Sequence, residues 1–329
     1  MAAKFTVYVD GQSGTTGLRI FERLAGHPYV EVSRIPAEKR RDIQARREYI
    51  NEAAAVFLCL PDQAAKEAVT LLRPDNDHTK IIDASTAHRV APGWVYGMPE
   101  LSDGARERIA AARLVANPGC HATAFLLPLA PLVAAGIVPR DYPISCHSIT
   151  GYTGGGKGMI EEYEAPDRPA ARPDYDAPRQ YALSQEHKHL PEMHKYSGLS
   201  RPPIFSPIVA DFPRGLAMFT PLFPALLRRP DRPGGKVGPE LIQEVLSERY
   251  ENCPFVKVLP WEKNDCLAKG YVNVMACDDT DRAEILLLGN GERIILVCRL
   301  DNLGKGAGGA AIQNMNLMLG LPEDAGLVV

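Results

Sequence analysis

Apolar positions along the first third of the chain follow two alternating rhythms. Residues 4–9 form a short β-branched and aromatic run that predicts a strand, the turn "DGQSGTTG" follows, and Leu18, Phe21 and Leu24 then recur at helical spacing. Further strands are predicted at 30–35, 54–60, 80–83 and 113–116, with a helix in "PDQAAKEAVTLL" N-capped by Asp62. Strand alternating with helix predicts a mostly parallel, doubly wound sheet. After about residue 140 the rhythm changes. The runs "ISCHSIT", "IFSPIVADF" and "AMFTPLF" predict longer strands, and "ILLLGNGERIILVCRL" predicts a hairpin turning at Asn290-Gly291. With a helix over 238–250, this part should be a mixed or antiparallel sheet with added helices. The stretch 163–181 is proline-rich, charged and aperiodic, which predicts a long surface loop. At the end, "DNLGKGAGGAAIQNMNLMLGLPE" is a glycine-rich turn entering a helix with Ala311, Met315, Met318 and Leu319 on one face. Packing that face back on the first domain would cover it and make the domain discontinuous. The expected class is α/β, a Rossmann-like domain joined to an α+β domain with a mixed sheet.

The 329 residues exceed the comfortable size of one core, which agrees with two domains. A formal net charge of −3 provides no field for nucleic acid or anionic lipid, so neither partner is expected. No run of 18 apolar residues and no secretory h-region occurs, so the expected location is cytoplasmic and no membrane association is expected. Seven scattered cysteines (Cys59, Cys120, Cys146, Cys253, Cys266, Cys277, Cys298) with no C-x-x-C suggest neither a disulfide framework nor a zinc ribbon.

Gly11, Gly14 and Gly17 form G-x-x-G-x-x-G between a strand and a helix, a setting in which helix N–H groups can hold a pyrophosphate. At the end of the second strand, where an NAD site places a carboxylate, the chain has Ser33 and Arg34, followed by Lys39, Arg40 and Arg41. This favours NADP over NAD. For residues 39–41 a solvated helix start is an equally good reading.

Cys120, in "NPGCHAT", coincides with a strand end, a turn and the start of an apolar helix. The helix terminus would lower its thiol pKa, and the same N–H groups could hold an oxyanion. A thiolate beside a nicotinamide fits acyl transfer to sulfur followed by hydride reduction to an aldehyde. His187 and His189 in "QEHKHLPEM" are acid/base candidates, with Glu192 to orient an imidazole. The two histidines at i, i+2 would share one side of a strand and could hold zinc, but no third ligand with suitable spacing follows, so no metal is expected. His121 is a further acid/base candidate whose side chain should point along the helix away from the sulfur. Arg89, Asn117, Lys157 and Lys188 are candidates for binding a phosphate or carboxylate.

These residues fall in motifs that span nearly the whole chain: "GQSGTTG", "LPD", "DASTAHR", "YGMPEL", "NPGCHATA", "SITGYTGGGK", "HKHLPEM" and the final glycine turn. Together they resemble the N-acetyl-γ-glutamyl-phosphate reductase family, in its shorter subfamily, within the aspartate-semialdehyde dehydrogenase superfamily. The resemblance implies NADPH/NADP⁺ as cofactor and an acyl-phosphate substrate of arginine biosynthesis, with Cys120 as nucleophile and the acid/base in the histidine segment. It implies an NADP-binding domain at 1–119 and 303–329, and a catalytic and oligomerisation domain at 120–302. The assembly it implies is a homodimer or homotetramer. It also implies cofactor contacts at Ser13, Thr15, Thr16, Leu60, Pro61, Ser85 and Gly155, and at Asn302 and Gly306 of the last turn. His121 and "YTGGG" depart from the usual tyrosine and "SGAG". Other acyl-phosphate reductases are the nearest alternative, followed by a Cys-His hydrolase or acyltransferase and a non-catalytic NADP sensor.

Overall fold

In the computed structural model, residues 4–12, 14–168, 173–261, 267 and 269–329 are described. Two compact units emerge, one of residues 1–99, 103–119 and 307–328, the other of 100–102, 120–306 and 329.

The first unit carries a six-stranded, wholly parallel sheet. Its strands are β1 (Phe5–Asp10), β2 (Val30–Ser33), β3 (Ala55–Leu58), β4 (Lys80–Asp83), β5 (Val95–Tyr96) and β6 (Leu114–Ala116), in the spatial order β2-β1-β3-β4-β6-β5. Successive side chains point to opposite faces, so Val7, Val9, Phe57 and Ile82 enter one core while Tyr8, Val56, Leu58 and Ile81 enter the other. Helix α1 (Thr15–Ala25) covers the first face through Ile20 and Leu24. The second face receives Ile50 of α2 (Ile43–Glu52) and Ala65 and Ala68 of α3 (Asp62–Val69). Helix α3 begins at Asp62 itself, with Pro61 as the capping residue. The Asp62 carboxylate instead accepts from the backbone N–H of Thr86, 3.0 Å away, so it fastens two turns together rather than capping a helix. Helix α4 (Ala105–Ala111) contributes Ile109 to the first core.

The second unit holds a seven-stranded mixed sheet. It contains β7 (Ser145–Gly151), β8 (Arg179–Gln180), β9 (Ile204–Ala210), β10 (Leu216–Leu222), β11 (Val256–Val258), β12 (Ala283–Asn290) and β13 (Arg293–Leu300), in the order β11-β12-β13-β10-β7-β9-β8. The β12/β13 hairpin pairs Asn290 with Arg293, so its two-residue loop is Gly291-Glu292, one residue beyond the predicted turn. Asn290 Oδ1 accepts from the N–H groups of Glu292 and Arg293, which explains the shift: the asparagine closes the turn from its first position. Residues 169–172 of the expected surface loop lie outside the described residues; the rest of segment 163–181 is more ordered than a loop. Helix α6 (Lys157–Glu164) ends within it, a 3₁₀ turn covers Pro173–Asp176, and β8 pairs with β9. Tyr163 and Tyr175 are buried with Tyr152 and Val209, and the Arg179 guanidinium lies 3.4 Å from the Tyr175 ring centre.

Helix α5 (Cys120–Ala134) is buried from His121 to Val133 although it contains Pro128 and Pro131. Pro131 has no N–H to give Leu127, four residues back. Tyr250, at the end of α8 (Pro239–Tyr250), repairs this by donating its hydroxyl to the Leu127 carbonyl at 2.6 Å. Removing that donor leaves a buried carbonyl unsatisfied. Tyr250→Phe should therefore lower unfolding stability by about 1–3 kcal/mol, read as a lower urea midpoint; an unchanged midpoint would show that the carbonyl is satisfied otherwise.

Candidate active site

In the first unit the order of strands reverses between β1 and β3, where α/β sheets bind ligands at their carboxyl ends. Gly11 follows β1 with φ +87°, and a Cβ there would lie 2.2 Å from the Cys59 carbonyl oxygen. A Cβ on Gly17 would lie 2.4 Å from the Gly11 oxygen, so both glycines permit backbone contacts that no side chain allows. Gly14 caps α1, whose first residues are Thr15, Thr16 and Gly17. First-turn N–H groups have no intrahelical partner. Ser13 lies outside the described residues. A cleft of about 560 Å³ opens beside this turn, lined by Gly11, Gln12, Leu60, Glu38, Arg40, Arg41 and Arg46 among others.

Ser33 and Arg34 do not line it. Ser33 Oγ turns to the Val7 carbonyl at 3.4 Å, and the Arg34 guanidinium lies 4.4 Å from the Phe21 ring centre. The basic groups of the cleft are Arg40 and Arg41, together with Arg46, which is held by the buried Asp10 at 2.7 Å. Ser85 is likewise diverted: its hydroxyl bonds Asp83, which also takes His88 Nδ1 at 2.6 Å. Arg89 is buried, with Nε donating to the Asn117 carbonyl at 3.0 Å, so it braces the turn rather than offering a surface cation. Asn117 is also buried; its Nδ2 donates to the Ala307 carbonyl and its Oδ1 accepts from Asn314, which ties the "NPGC" turn to helix α9 (Gly309–Met318). Ala311, Ile312, Met315 and Met318 of α9 join the first core.

In the second unit Cys120 is half-buried at the first residue of α5. Cys146, Cys277 and Cys298 are buried, and burial pushes all three thiols up. Cys266 lies outside the described residues. Gly306 packs directly against Cys120, since a Cβ there would stand 2.8 Å from the Cys120 Cβ. Only a glycine leaves room there for the carbon that bears the sulfur. Asn302 is buried with its amide spent on the Gly215 N–H at 3.0 Å and Thr153 Oγ1 at 3.3 Å.

The histidines gather here. His187 and His189 lie in the turn leading into α7 (Leu190–Ser197), not on a strand, and His187 Nδ1 accepts the His189 N–H at 3.1 Å. His121 joins them: its ring centre is 5.4 Å from that of His187 and 5.5 Å from that of His189. Its Nε2 meets the Tyr181 hydroxyl at 2.9 Å and its Nδ1 meets Ser148 Oγ at 3.1 Å. Burial first, and the charges of His187 and Lys188 second, lower its pKa to about 3. Burial and then the adjacent Cys120 raise the pKa of the Tyr181 hydroxyl. Tyr181 and Ser148 were not among the expected site residues. Ser148 shares the buried face of β7 with Cys146 and Thr150, a legible alternation. Tyr181 is placed by its N–H bond to the Pro207 carbonyl, which extends the β8/β9 edge and has no sequence signature. Glu192 is buried in the first turn of α7. Lys157 and Lys188 are exposed, Lys157 beside Glu161 at 3.5 Å, and Gly155 is exposed beside Met159. Among the described residues no group of three or more His, Cys, Asp or Glu is arranged to hold a metal ion, and no helix is long and apolar enough to cross a membrane.

A family profile described as "Semialdehyde dehydrogenase, NAD binding domain" matches residues 6–112, and one described as "Semialdehyde dehydrogenase, dimerisation domain" matches residues 120–302. The chain belongs to the semialdehyde dehydrogenase family. Curated relatives of this semialdehyde dehydrogenase include "N-acetyl-gamma-glutamyl-phosphate reductase 2" of Nostoc sp., 43% identical over 98% of both chains. "N-acetyl-gamma-glutamyl-phosphate reductase" of Brucella ovis is 46% identical over 95% of this chain and 98% of that one. Among solved structures, aspartate semialdehyde dehydrogenase from Francisella tularensis covers 96% of this chain and 100% of its own at TM-score 0.71 and 14% identity. The enzyme with NADP from Candida albicans covers 96% and 99% at TM-score 0.61 and 14% identity. At such identities the structures show a common fold.

Because the folded state holds His121 neutral while an unfolded histidine takes a proton near pH 6.5, its contribution to stability is lost as pH falls from about 6.5 toward 3. Long-range ¹H–¹⁵N spectra should show the His121 ring neutral down to pH 5. A midpoint near 6.5 would contradict its enclosure.

Proposed function

We propose that this semialdehyde dehydrogenase is an NADPH-dependent N-acetyl-γ-glutamyl-phosphate reductase, forming the semialdehyde and phosphate through a thioester on Cys120. The activity rests on relatives of that name at 43–46% identity over nearly full length. The observation that carries the mechanism is Cys120 at the N-terminus of a buried helix, packed against a glycine and beside a cluster of three histidines and a tyrosine.

The first unit fits the dinucleotide: glycines approach the backbone where a Cβ would collide, and Arg40 and Arg41 line the cleft beside them. We read Arg40 and Arg41 as the 2′-phosphate donors in place of Ser33 and Arg34. Buried Asn314 Oδ1 has no hydrogen-bond partner among the described residues, and is an acceptor suited to a carboxamide. Bound NADPH supplies the hydride.

Cys120 sulfur attacks the acyl carbon; a C–S bond forms, the C–O bond to phosphate breaks, and phosphate leaves with the electron pair. The His187–His189 pair takes the thiol proton and delivers it to a leaving group. His121, held neutral by burial, is no acid/base near pH 7; it holds the Tyr181 hydroxyl in place. The α5 N-terminus would hold the oxyanion formed when the thioester carbon is reduced. Collapse of that oxyanion re-forms C=O and returns the thiolate. Lys188, whose charge is felt at His121, is the favoured cation for the acyl phosphate. A cytoplasmic homo-oligomer belongs to the same proposal.

Activity is read as phosphate-dependent NADP⁺ reduction with N-acetylglutamate semialdehyde. Cys120→Ser should lower turnover on the order of 10³-fold or more while NADPH affinity is retained. Faster oxidation of aspartate semialdehyde would overturn the substrate assignment. Arg40→Ala and Arg41→Ala should each raise the KM for NADPH roughly tenfold, with kcat unchanged. An unaltered preference for NADPH over NADH in both would return the 2′-phosphate to other residues.

A further inference from the structure

The turn that delivers Gly306 to Cys120 contains a buried lysine. Residues Gly304–Gly308 form a π-helical turn, a rare geometry that often marks functional sites. The Lys305 side chain is 1% exposed, and its Nζ meets Glu100 Oε1, itself fully buried, at 2.7 Å. The Phe255 ring centre lies 5.2 Å from the same ammonium group. Glu100–Ser102 is a three-residue stretch grouped with the second unit although its flanking residues belong to the first.

A second set of contacts holds the turn from the other side. The Asp301 carbonyl accepts from the N–H groups of Gly304 and Gly306, and its buried carboxylate accepts from Asp279 and Leu303 N–H groups. At Gly304 a Cβ would stand 2.2 Å from the Thr280 carbonyl oxygen, so the backbone is packed tight there too. Backbone hydrogen bonds and glycine packing already close this turn. A buried ion pair is a poor addition for stability alone, because both charges lose their water and an apolar pair of equal volume often serves as well. Its distinctive property is geometric: a charged pair tolerates little displacement in a dry interior, and this one is anchored next to the glycine that abuts the sulfur-bearing carbon.

We propose that the Lys305–Glu100 ion pair is a positioning device for Cys120. It pins the π-helical turn so that Gly306 closes one side of the cysteine and keeps the sulfur at the α5 N-terminus. This rests on Cys120 being the nucleophile. Lys305 and Glu100 are positioning residues, acting through Gly306.

The test is the full-length double variant Glu100→Gln/Lys305→Met, which removes both charges at similar volume. With its fold checked by circular dichroism, kcat for phosphate-dependent semialdehyde oxidation should fall about 10- to 100-fold, with KM changed less than about threefold. The apparent pKa of Cys120 alkylation by iodoacetamide should rise toward the free-cysteine value of about 8.5. A folded double variant with wild-type kcat and an unchanged alkylation profile overturns the proposal. If the double variant does not fold, Gly306→Ala decides with the pair intact: it should show the same rise in alkylation pKa, and unchanged thiol reactivity overturns the proposal. Cys120→Ser separates the two claims. Retained turnover in that variant sinks the nucleophile itself, whereas lost turnover beside an indifferent double variant sinks only the positioning role.

Discussion

Asn117 commits its backbone N–H, its backbone carbonyl and both side-chain atoms at once. The N–H donates to Asp83, the carbonyl accepts from Arg89, Nδ2 donates to Ala307 and Oδ1 accepts from Asn314. One buried asparagine, three residues before Cys120, thereby joins the end of β4, the arginine of the "DASTAHR" turn, Ala307 and the middle of α9. Each of these bonds is made away from water, where leaving either partner unpaired costs the full desolvation of the group. The turn that opens α5 is therefore anchored by a network rather than by chain stiffness. Arg89, buried beside it, donates from Nε to the Asn117 carbonyl.

A second constraint is the absence of side chains at particular points. Gly11 and Gly17 let the nucleotide turn fold onto itself, and Gly306 lets the last turn close on Cys120. Polar residues nearby serve as supports. His121 exemplifies this. Enclosed by Phe205, Tyr181, His187 and His189, it bridges Ser148 to Tyr181, and burial lowers its pKa.

The parallel sheet was legible because its strands, buried on both faces, are short apolar runs separated by helical periodicity. The period-2 split of Val7 and Val9 from Tyr8 is written in the residues themselves. The place of Cys120 at the start of α5 was legible because strand end, glycine turn and helix start coincide there. What resisted reading depends on contacts distant in sequence. Arg34 lies over the Phe21 ring, 13 residues earlier in the chain, while Arg41 lines the cleft. The two bonds that hold Asn302, to the Gly215 N–H and Thr153 Oγ1, span 87 and 149 residues. The proline-rich stretch 163–181 lacks periodicity because Tyr163 and Tyr175 pack as single anchors under Arg179, not as a repeating face. Tyr181 is positioned by edge pairing that no local pattern encodes.

The account depends on a covalent acyl group residing on one sulfur. Mixing the enzyme with N-acetylglutamate semialdehyde and NADP⁺ without phosphate should leave that group stranded, since nothing is present to carry it off quickly. Acid quench, proteolysis and mass spectrometry should then find the N-acetylglutamyl thioester on the peptide containing Cys120, cleared on adding phosphate. Burst formation of NADPH with an unmodified Cys120 peptide, or the acyl group on any other residue, would contradict the account.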